Sequence, residues 1–444
     1  MKSIGIPILI ISLFFSCQVQ KSKSVSYSII SDDSLLTVVQ NKTFQYFWEG
    51  AEPVSGGARE RFHVDNDYPD NDKNVVTSGG TGFGVMAILV GIERKFITRE
   101  EGAERLTKIV EFLEKADRFH GVWPHWIYGE TGKVKPFSPR DDAADLVETS
   151  YLLQGLLCVR QYFKAGNDSE KVLAERIDKL WKAVEFDWFR KGNQNVLYWH
   201  WSPKFGWDMN FAVEGYNECL IMYVLAAASP THTVPAEVYR EGWARKGTIK
   251  NDSAHQQYGL HLDLKHNGSP QYGGPLFWSH YSFLGLDPRK LKDRYADYWT
   301  HNKNHTLINY KYCVENPKHF KGYGENCWGL SAGYSVKFYA AHSPTEDVGV
   351  ISPTAAISSI VYTPEESMKA IRHFYFDFGK TTFGEYGFYD GFSLTDNWCK
   401  PWYLAIDQGP EVVMIENYRS GLLWDLFMSC PEVKSGLDKL GFSY

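Results

Sequence analysis

Apolar residues recur at helical spacing along most of the chain. Leu35, Val38, Val39, Phe44 and Phe47 form one stripe, and the same period predicts helices over 82–96, 100–116, 139–163, 171–189, 212–228, 235–243, 288–310, 330–341, 353–361, 364–376, 410–428 and 431–440. Local chemistry marks several starts. Ser138-Pro139-Arg140-Asp141, Ser352-Pro353 and Thr363-Pro364-Glu365-Glu366 each place a hydroxyl at the N-cap and proline at the first helical position. The first and last of these add an acid at the third helical position, a capping box. Between the helices lie long segments rich in Gly, His and aromatics, at 50–80, 118–138, 190–211, 245–285, 311–329 and 379–409. Loops of such length in a compact domain are usually functional. No period of roughly 34–45 residues repeats, which weakens a solenoid. No Pro/Ser-rich linker divides 35–444. The pattern therefore predicts a single all-α domain over 35–444, an (α/α)6 toroid of helix hairpins whose loops gather around a central cleft.

The N-terminus has a different pattern. Lys2 precedes an apolar stretch from Ile4 to Phe15 that is too short to span a bilayer. It ends Leu13-Phe14-Phe15-Ser16-Cys17, which resembles a bacterial lipobox. Residues 1–16 are expected to be a lipoprotein signal peptide, Cys17 the lipid attachment site, and the polar, Ser-rich stretch 17–34 a flexible tether. The protein would then be lipid-anchored to the bacterial envelope, periplasmic or outer-membrane with the cell surface included, and would meet membrane through that anchor alone.

Composition narrows the function. Aromatics make up 16% of the 444 residues, with 15 Trp, and the net charge is −6. With no basic excess or stripe, a nucleic-acid partner is not expected. Beyond Cys17 the cysteines are Cys158, Cys219, Cys313, Cys327, Cys399 and Cys430, with no CxxC spacing. There is no HExxH or GxSxG, the histidines are dispersed, and Gly79 to Gly84 lacks the phosphate-loop lysine, so it reads as a close helix contact. No metal and no cofactor are expected. Nothing in the pattern encodes an oligomer, and a monomer is the expectation.

Three constellations can carry chemistry. Asp142, Asp145 and Glu148 follow Ser138 at i, i+3 and i+6, on one flank of the first turns of an otherwise apolar helix. Complementing the helix dipole would explain any one of them; three together point further. Trp199 and Trp201 share a face if their segment is extended, and Glu214 stands at the mouth of the apolar helix predicted over 212–228. A carboxyl among aromatics is desolvated, which raises its pKa and keeps its proton. Tyr389, Asp390, Trp398, Gln408 and Glu411 form the third group, with Glu411 near a helix start at Pro410. Trp278 and His280, Trp328, and Trp123 to Trp126 repeat the pairing of an aromatic with a hydrogen-bonding side chain. A single Trp is more often core. Its recurrence in loop after loop beside carboxylates suits sugar rings, and glycoside hydrolysis needs one protonated and one ionised carboxyl. On this reading Glu214 is the acid and Asp142 the base, with Asp145 its runner-up. Glu148, Glu411 and Asp390 organise the site. Trp199, Trp201, Trp278, His280, Trp328, Trp398, Tyr389 and Gln408 bind substrate.

The segments SPRDDAADLVETSYLLQGLL, FAVEGYNE, PLFWSHYSFLGLDP and YDGFSLTDNW followed by AIDQGPEVVMIENYRSGLLW occur in this order. Together they resemble the bacterial glucoamylase-like family, which includes endo-β-1,2-glucanases of Bacteroidetes and is similar to the hydrolase-like region of cyclic β-1,2-glucan synthases. The resemblance covers about 35–444. It implies an (α/α)6 toroid that hydrolyses β-1,2-glucan with inversion and without metal. It matches Asp142 and Glu214 to acids of the family's cleft, and Asp145, Glu148 and Glu411 to acids nearby. Two other classes stay open on the residues alone: a non-catalytic glycan-binding lipoprotein, and a polysaccharide lyase on the same toroid. The lyase would want more cations in its loops than this chain offers.

Overall fold

Two kinds of helix divide the labour. The computed structural model describes residues 30–444, apart from the side chains of Asp70 and Asn71. The expected signal peptide, Cys17 and the expected tether up to residue 29 lie outside the described residues; residues 32–34 of that tether are instead the first turn of a helix capped by Ser31. The helices are α1 (Asp32–Trp48), α2 (Ser78–Glu93), α3 (Arg99–Lys115), α4 (Leu146–Phe163), α5 (Asp168–Lys182), α6 (Leu220–Ala228), α7 (Tyr298–Glu315), α8 (Pro353–Ile357), α9 (Pro364–Phe376), α10 (Gly379–Thr382), α11 (Ala405–Arg419), α12 (Leu422–Met428) and α13 (Pro431–Leu440). Every residue of α6 and α8 is buried, as is nearly all of α2, α4 and the first turns of α11. A helix apolar on all sides must sit inside. In contrast α3 buries Leu106, Ile109, Val110 and Leu113, and α5 buries Leu173, Ile177 and Leu180, with charge on their outer faces.

The inner helices close into a ring. α2 packs between α4 and α11, α4 meets α6, and α8 meets α11. The sixth inner position is a pair of short 3-10 turns, Leu276–Ser279 and Tyr281–Phe283. It touches α6 on one side. On the other, His280 bonds Ser359 and the Tyr362 hydroxyl donates to the Ser279 carbonyl. Each inner member carries an outer partner: α3 on α2, α5 on α4, α13 on α6, α7 on the 276–279 turn, α9 on α8 and α1 on α11. This is the α/α toroid. One contiguous apolar core runs from Leu35 to Phe442. The six cysteines beyond Cys17 are free thiols. Among the described residues no helix is long and apolar enough to cross a membrane.

α9 and α13 have the limits their patterns predict; other elements differ, each for a local reason. The helix expected from Pro139 starts at Leu146. Ser138 and Asp141 close a tight turn instead, Ala144–Asp145 pairs as a strand with His200–Trp201, and Asp145 becomes the N-cap by accepting the Glu148 N–H at 2.9 Å. The helix expected over 212–228 starts at Leu220. Gly215, at φ +76°, turns the chain before it, where a Cβ would meet the Asn267 side chain at 2.4 Å. The span 330–341 is a hairpin, Ala332–Tyr334 against Tyr339–Ala341, whose turn is closed by hydrogen bonds between Ser335 and Phe338. The helix expected from Pro410 begins at Ala405, carries Pro410 inside it, and ends before Gly421.

The tightest inner contact is between α2 and α4. A Cβ on Gly155 would lie 2.0 Å from the Gly82 carbonyl oxygen, and one on Gly82 would lie 2.2 Å from the Tyr151 carbonyl oxygen. Here backbone meets backbone and no side chain can yield. Gly155→Ala gains helix propensity of about 1 kcal/mol, but overpacking costs about 3 kcal/mol. The variant should therefore unfold at lower denaturant concentration, with a net loss of roughly 2 kcal/mol; an unchanged midpoint in a urea melt would contradict this contact.

Candidate functional site

Short strand pairs pin the long loops over the ring. Val75–Thr77 pairs with Trp126–Tyr128, which pairs with Val134–Lys135, and Arg61–His63 pairs with Trp402–Leu404. These loops enclose a cavity of about 300 Å³. Its floor carries three carboxylates, Glu60, Glu148 and Glu218, with His125 and Arg61 as the cations. Its walls are aromatic: Trp126, Phe137, Tyr151, Trp199, Phe277, Tyr281 and, from the 332–341 hairpin, Tyr334 and Tyr339.

Glu148 sits in the first turn of α4 and reaches across to α2, accepting the Gly79 N–H at 2.9 Å and the Thr77 hydroxyl at 3.4 Å. Burial pushes its pKa up to about 7, with Asp145 and Glu60 adding to the rise and His125 opposing it. Directly behind, Asp145 is fully buried and hydrogen-bonded at 3.1 Å to His125 Nδ1. Burial disfavours the charge on Asp145, but the bond and charge of His125 outweigh it and hold the carboxyl below its ordinary range. Burial would likewise lower His125, yet the charge of Glu148 and the bond to Asp145 win and push it up to about 10. His125 is thus an imidazolium at neutral pH.

Glu218 immediately precedes the N-cap of α6. Its backbone carbonyl accepts from the Ser282 hydroxyl and, at 3.4 Å, from the Tyr151 hydroxyl. Its residue lines the cavity, and among the described residues no cation is paired with its carboxyl. Burial, with a smaller push from Asp145, raises its pKa to about 7. On the wall between, Arg61 donates to the Tyr334 hydroxyl at 2.8 Å and lies over the Trp126 ring at 5.4 Å.

Of the residues singled out in the sequence, Glu148, Trp199 and, from the Trp123 to Trp126 stretch, His125 and Trp126 line the cavity, and Asp145 lies directly behind it. Glu214 does not reach the wall. Because α6 starts eight residues later than its pattern predicts, Glu214 falls in the turn before it, half-buried, and its carbonyl accepts from Arg245 and Asn267. Glu218, not Glu214, is the acid of this segment that lines the cavity. Asp142 is also off the wall, since the chain around it is strand and turn; one of its carboxyl oxygens is buried without a partner. Trp328 is core, its indole N–H bonded to the Glu366 carbonyl. His280 is buried on Ser359, and burial with the charge of His305 lowers its pKa to about 3. Trp201 packs on Trp188 and His120, Trp278 on His266, and Tyr389 on Tyr403, while Trp398 pairs in a two-residue strand with Ser393. Gln408 braces the carbonyls of Tyr386 and Phe388. Glu411 is buried, accepts from Thr43, and is raised well above the carboxylate range by burial. Asp390 and Asp407 form a buried acid pair beside the cavity. Burial pushes Asp390 up to about 6 and Asp407 higher still, and Asp390 accepts the Tyr334 N–H at 2.7 Å.

His125, Asp141 and Asp145 bring potential metal-ligating atoms within 4.8 Å of one another.

Residues 210–431 match the model of the Glycoamylase family, "Putative glucoamylase". The solved endo-β-1,2-glucanase of Chitinophaga pinensis, in complex with sophorotriose and glucose, is 68% identical; the match covers 94% of this chain and 99% of that one, with a TM-score of 0.92. This chain belongs to the glucoamylase-like family. A curated relative, the exo β-1,2-glucooligosaccharide sophorohydrolase (non-reducing end) of Parabacteroides distasonis, is 47% identical over 93% of this chain, which spans 58% of that protein's length. The endo-β-1,2-glucanase of Talaromyces funiculosus solved with sophorose is 11% identical, with 92% of each chain covered and a TM-score of 0.64, and shares the fold.

The raised carboxyl at Glu218 makes a prediction about stability. The folded pKa, about 7, lies above the ordinary glutamate value of 4.5. Between those two pH values the native state binds more protons than the unfolded one, so stability falls as pH rises through the window. Glu218→Gln never pays this cost. Its stability relative to the wild type should rise from pH 4 to pH 8 by about 3 kcal/mol, read from urea midpoints; a difference independent of pH would contradict the assigned shift.

Proposed function

We propose that this protein is a glycoside hydrolase that cuts β-1,2-linked glucan with inversion, using Glu218 as general acid and Glu148 as the base that activates water. The observation that carries the reading is Glu218: an unpaired carboxyl on the wall of an aromatic cavity, with a pKa of about 7. Such a group holds a proton at neutral pH and can release it to a leaving oxygen. Glu148, with the same pKa range, has the His125 imidazolium and two donors to keep its charged form in place. The two roles are assigned on their partners: Glu148 accepts from Gly79 and Thr77 and stands beside His125, whereas among the described residues the Glu218 carboxyl has no such side-chain donor.

The reaction balances on these two groups. Glu218 protonates the glycosidic oxygen as the C–O bond breaks. Water adds to the anomeric carbon from the opposite face and gives its proton to Glu148, so the new reducing end has the α configuration. The linkage rests on the two similar proteins, one described as an endo-β-1,2-glucanase and the other as a β-1,2-glucooligosaccharide sophorohydrolase. The His125 charge and the Tyr/Phe walls suit a neutral, hydroxyl-rich chain.

Glu218→Gln should lower kcat by a factor on the order of 10³ or more while glucan still binds, and wild-type kcat/KM should fall on the alkaline side as Glu218 loses its proton near pH 7. Proton NMR of fresh product should show the α-anomer first. Full turnover in the variant, or a β-anomer, would refute the assignment.

We also propose that Cys17 carries lipid and tethers the enzyme to the envelope, from the Leu13-Phe14-Phe15-Ser16-Cys17 pattern. Cys17→Ser should move the protein from the membrane to the soluble fraction and abolish incorporation of labelled palmitate; membrane retention without label would refute the anchor.

A further inference from the structure

The inner ring is completed at its sixth position without an α-helix. The two 3-10 turns there, Leu276–Ser279 and Tyr281–Phe283, are too short to hold themselves in place. Yet they supply Phe277 and Tyr281 to the cavity wall, stacked on each other at 4.9 Å. What fixes them is a chain of buried imidazoles that the acid–base chemistry above does not use. His305, on α7, donates from Nε2 to the Gly274 carbonyl and accepts the Ser279 hydroxyl on Nδ1, both at 2.8 Å. His266 accepts the Gly274 N–H on Nδ1 at 2.9 Å, and its Nε2 lies 2.9 Å from Nε2 of His301, also on α7. Trp278 packs on His266, with ring centres 5.6 Å apart.

These bonds leave one arrangement of protons. Because His266 Nδ1 is an acceptor, its proton is on Nε2 and is donated to His301. His301 Nε2 is then an acceptor as well, and its own proton sits on Nδ1, which is buried with no hydrogen-bond partner. A second proton on His266 would meet the Gly274 N–H, and one on His301 would meet the His266 N–H. The surroundings offer no compensation. Tyr216 lies 4.6 Å from both rings and turns its hydroxyl to Asn302, while Tyr362 turns its own to the Ser279 carbonyl. His261 faces Asp263, Lys265 is bonded to the Thr248 carbonyl, and Asp297, at the start of α7, pairs with Lys292. Among the described residues no carboxylate bonds any of the three rings. Burial, with the charges of neighbouring histidines, lowers His266 and His301 well below the ordinary histidine value, and burial lowers His305 to about 4.

We propose that this imidazole chain is an acid-sensitive latch: while its rings are neutral it positions Phe277 and Tyr281 on the cavity wall, and acid releases the 264–283 segment. The rings take up protons once the segment has opened, so opening becomes more favourable as pH falls below the ordinary histidine value of 6.5. The effect on glucan affinity rests on the hydrolase reading above; the latch itself does not.

The test is hydrogen exchange, read by mass spectrometry on a peptide covering 264–283, for the wild type and His301→Gln at pH 7 and pH 5. Glutamine keeps an acceptor for the His266 N–H and takes up no proton. After correction for intrinsic exchange rates, the wild-type segment should lose roughly tenfold more protection than the variant between the two pH values, with no such difference in α4. Equal losses in this segment would overturn the latch. Kinetics reads the positioning. His301→Ala leaves the His266 N–H unpartnered and should raise KM for β-1,2-glucan several-fold at pH 7 with kcat little changed, and His301→Gln should raise it less. A fall in kcat of the same size in both variants, with KM unmoved, would overturn the positioning role. A wild type that cleaves no glucan yet opens in this histidine-dependent way would sink the hydrolase reading and leave the latch standing.

Discussion

The site depends on one buried junction, the hydrogen-bonded group of Asp145, Glu148 and His125 at the start of α4. Asp145 caps α4, Glu148 bridges from α4 to the first turn of α2, and His125 ties both to the loop that leads into the Trp126–Tyr128 strand. Burying two acids and a cation is costly unless each is paired and hydrogen-bonded. Here all three have partners, and breaking one member would leave the others uncompensated. The same bonds thus fix where α4 begins, how closely α2 and α4 approach, and which carboxyl at the cavity is met by hydrogen-bond donors. The Gly82–Gly155 contact completes the constraint, since only bare backbone lets Glu148 reach Gly79.

That junction also explains what was legible in the sequence. Four of the outer helices were readable because they answer to water: α3, α5, α9 and α13 each show an apolar face and a charged one, whereas α7, expected over 288–310, lies at Tyr298–Glu315. Inner helices are apolar all round, so periodicity says nothing about where they stop. The start of α4 shows the difficulty. Ser138-Pro139-Arg140-Asp141 has every local mark of a helix start, and Asp145 prevails because Ala144–Asp145 pairs with a strand more than fifty residues away. A long-range pairing has no local signature. Glu148 still lines the cavity, since its spacing from Asp145 survives the shift.

Glu218 was missed for a related reason, although a signal existed. The run from Cys219 to Ala228 is wholly apolar, and Glu218 is the last polar residue before it, three residues after a glycine in the left-handed region. A buried inner helix begins where polarity stops, which points to 218 and not 214. The carboxyl nearest the helix mouth is the one that enters the cavity desolvated, and desolvation is what raises its pKa.

The aromatic excess divides along the same line between packing and site. Several loop tryptophans are spent on other loops: Trp402 and Tyr68 sandwich His63 at 4.3 and 4.8 Å, and Trp328 is core. Even the tryptophans on the cavity wall have committed faces. Trp126 has Arg61 and Lys135 over its ring, and Trp199 stacks on His200. The broad indoles therefore stiffen loops that have almost no regular secondary structure of their own, and the wall is completed by smaller rings, Phe137, Phe277, Tyr281, Tyr334 and Tyr339. Rigid loops matter because the carboxyls come from the inner ring while the walls come from the loops. A sugar positioned by a mobile wall would meet the Glu218 carboxyl only part of the time, whereas interlocked aromatics hold the wall in register with it.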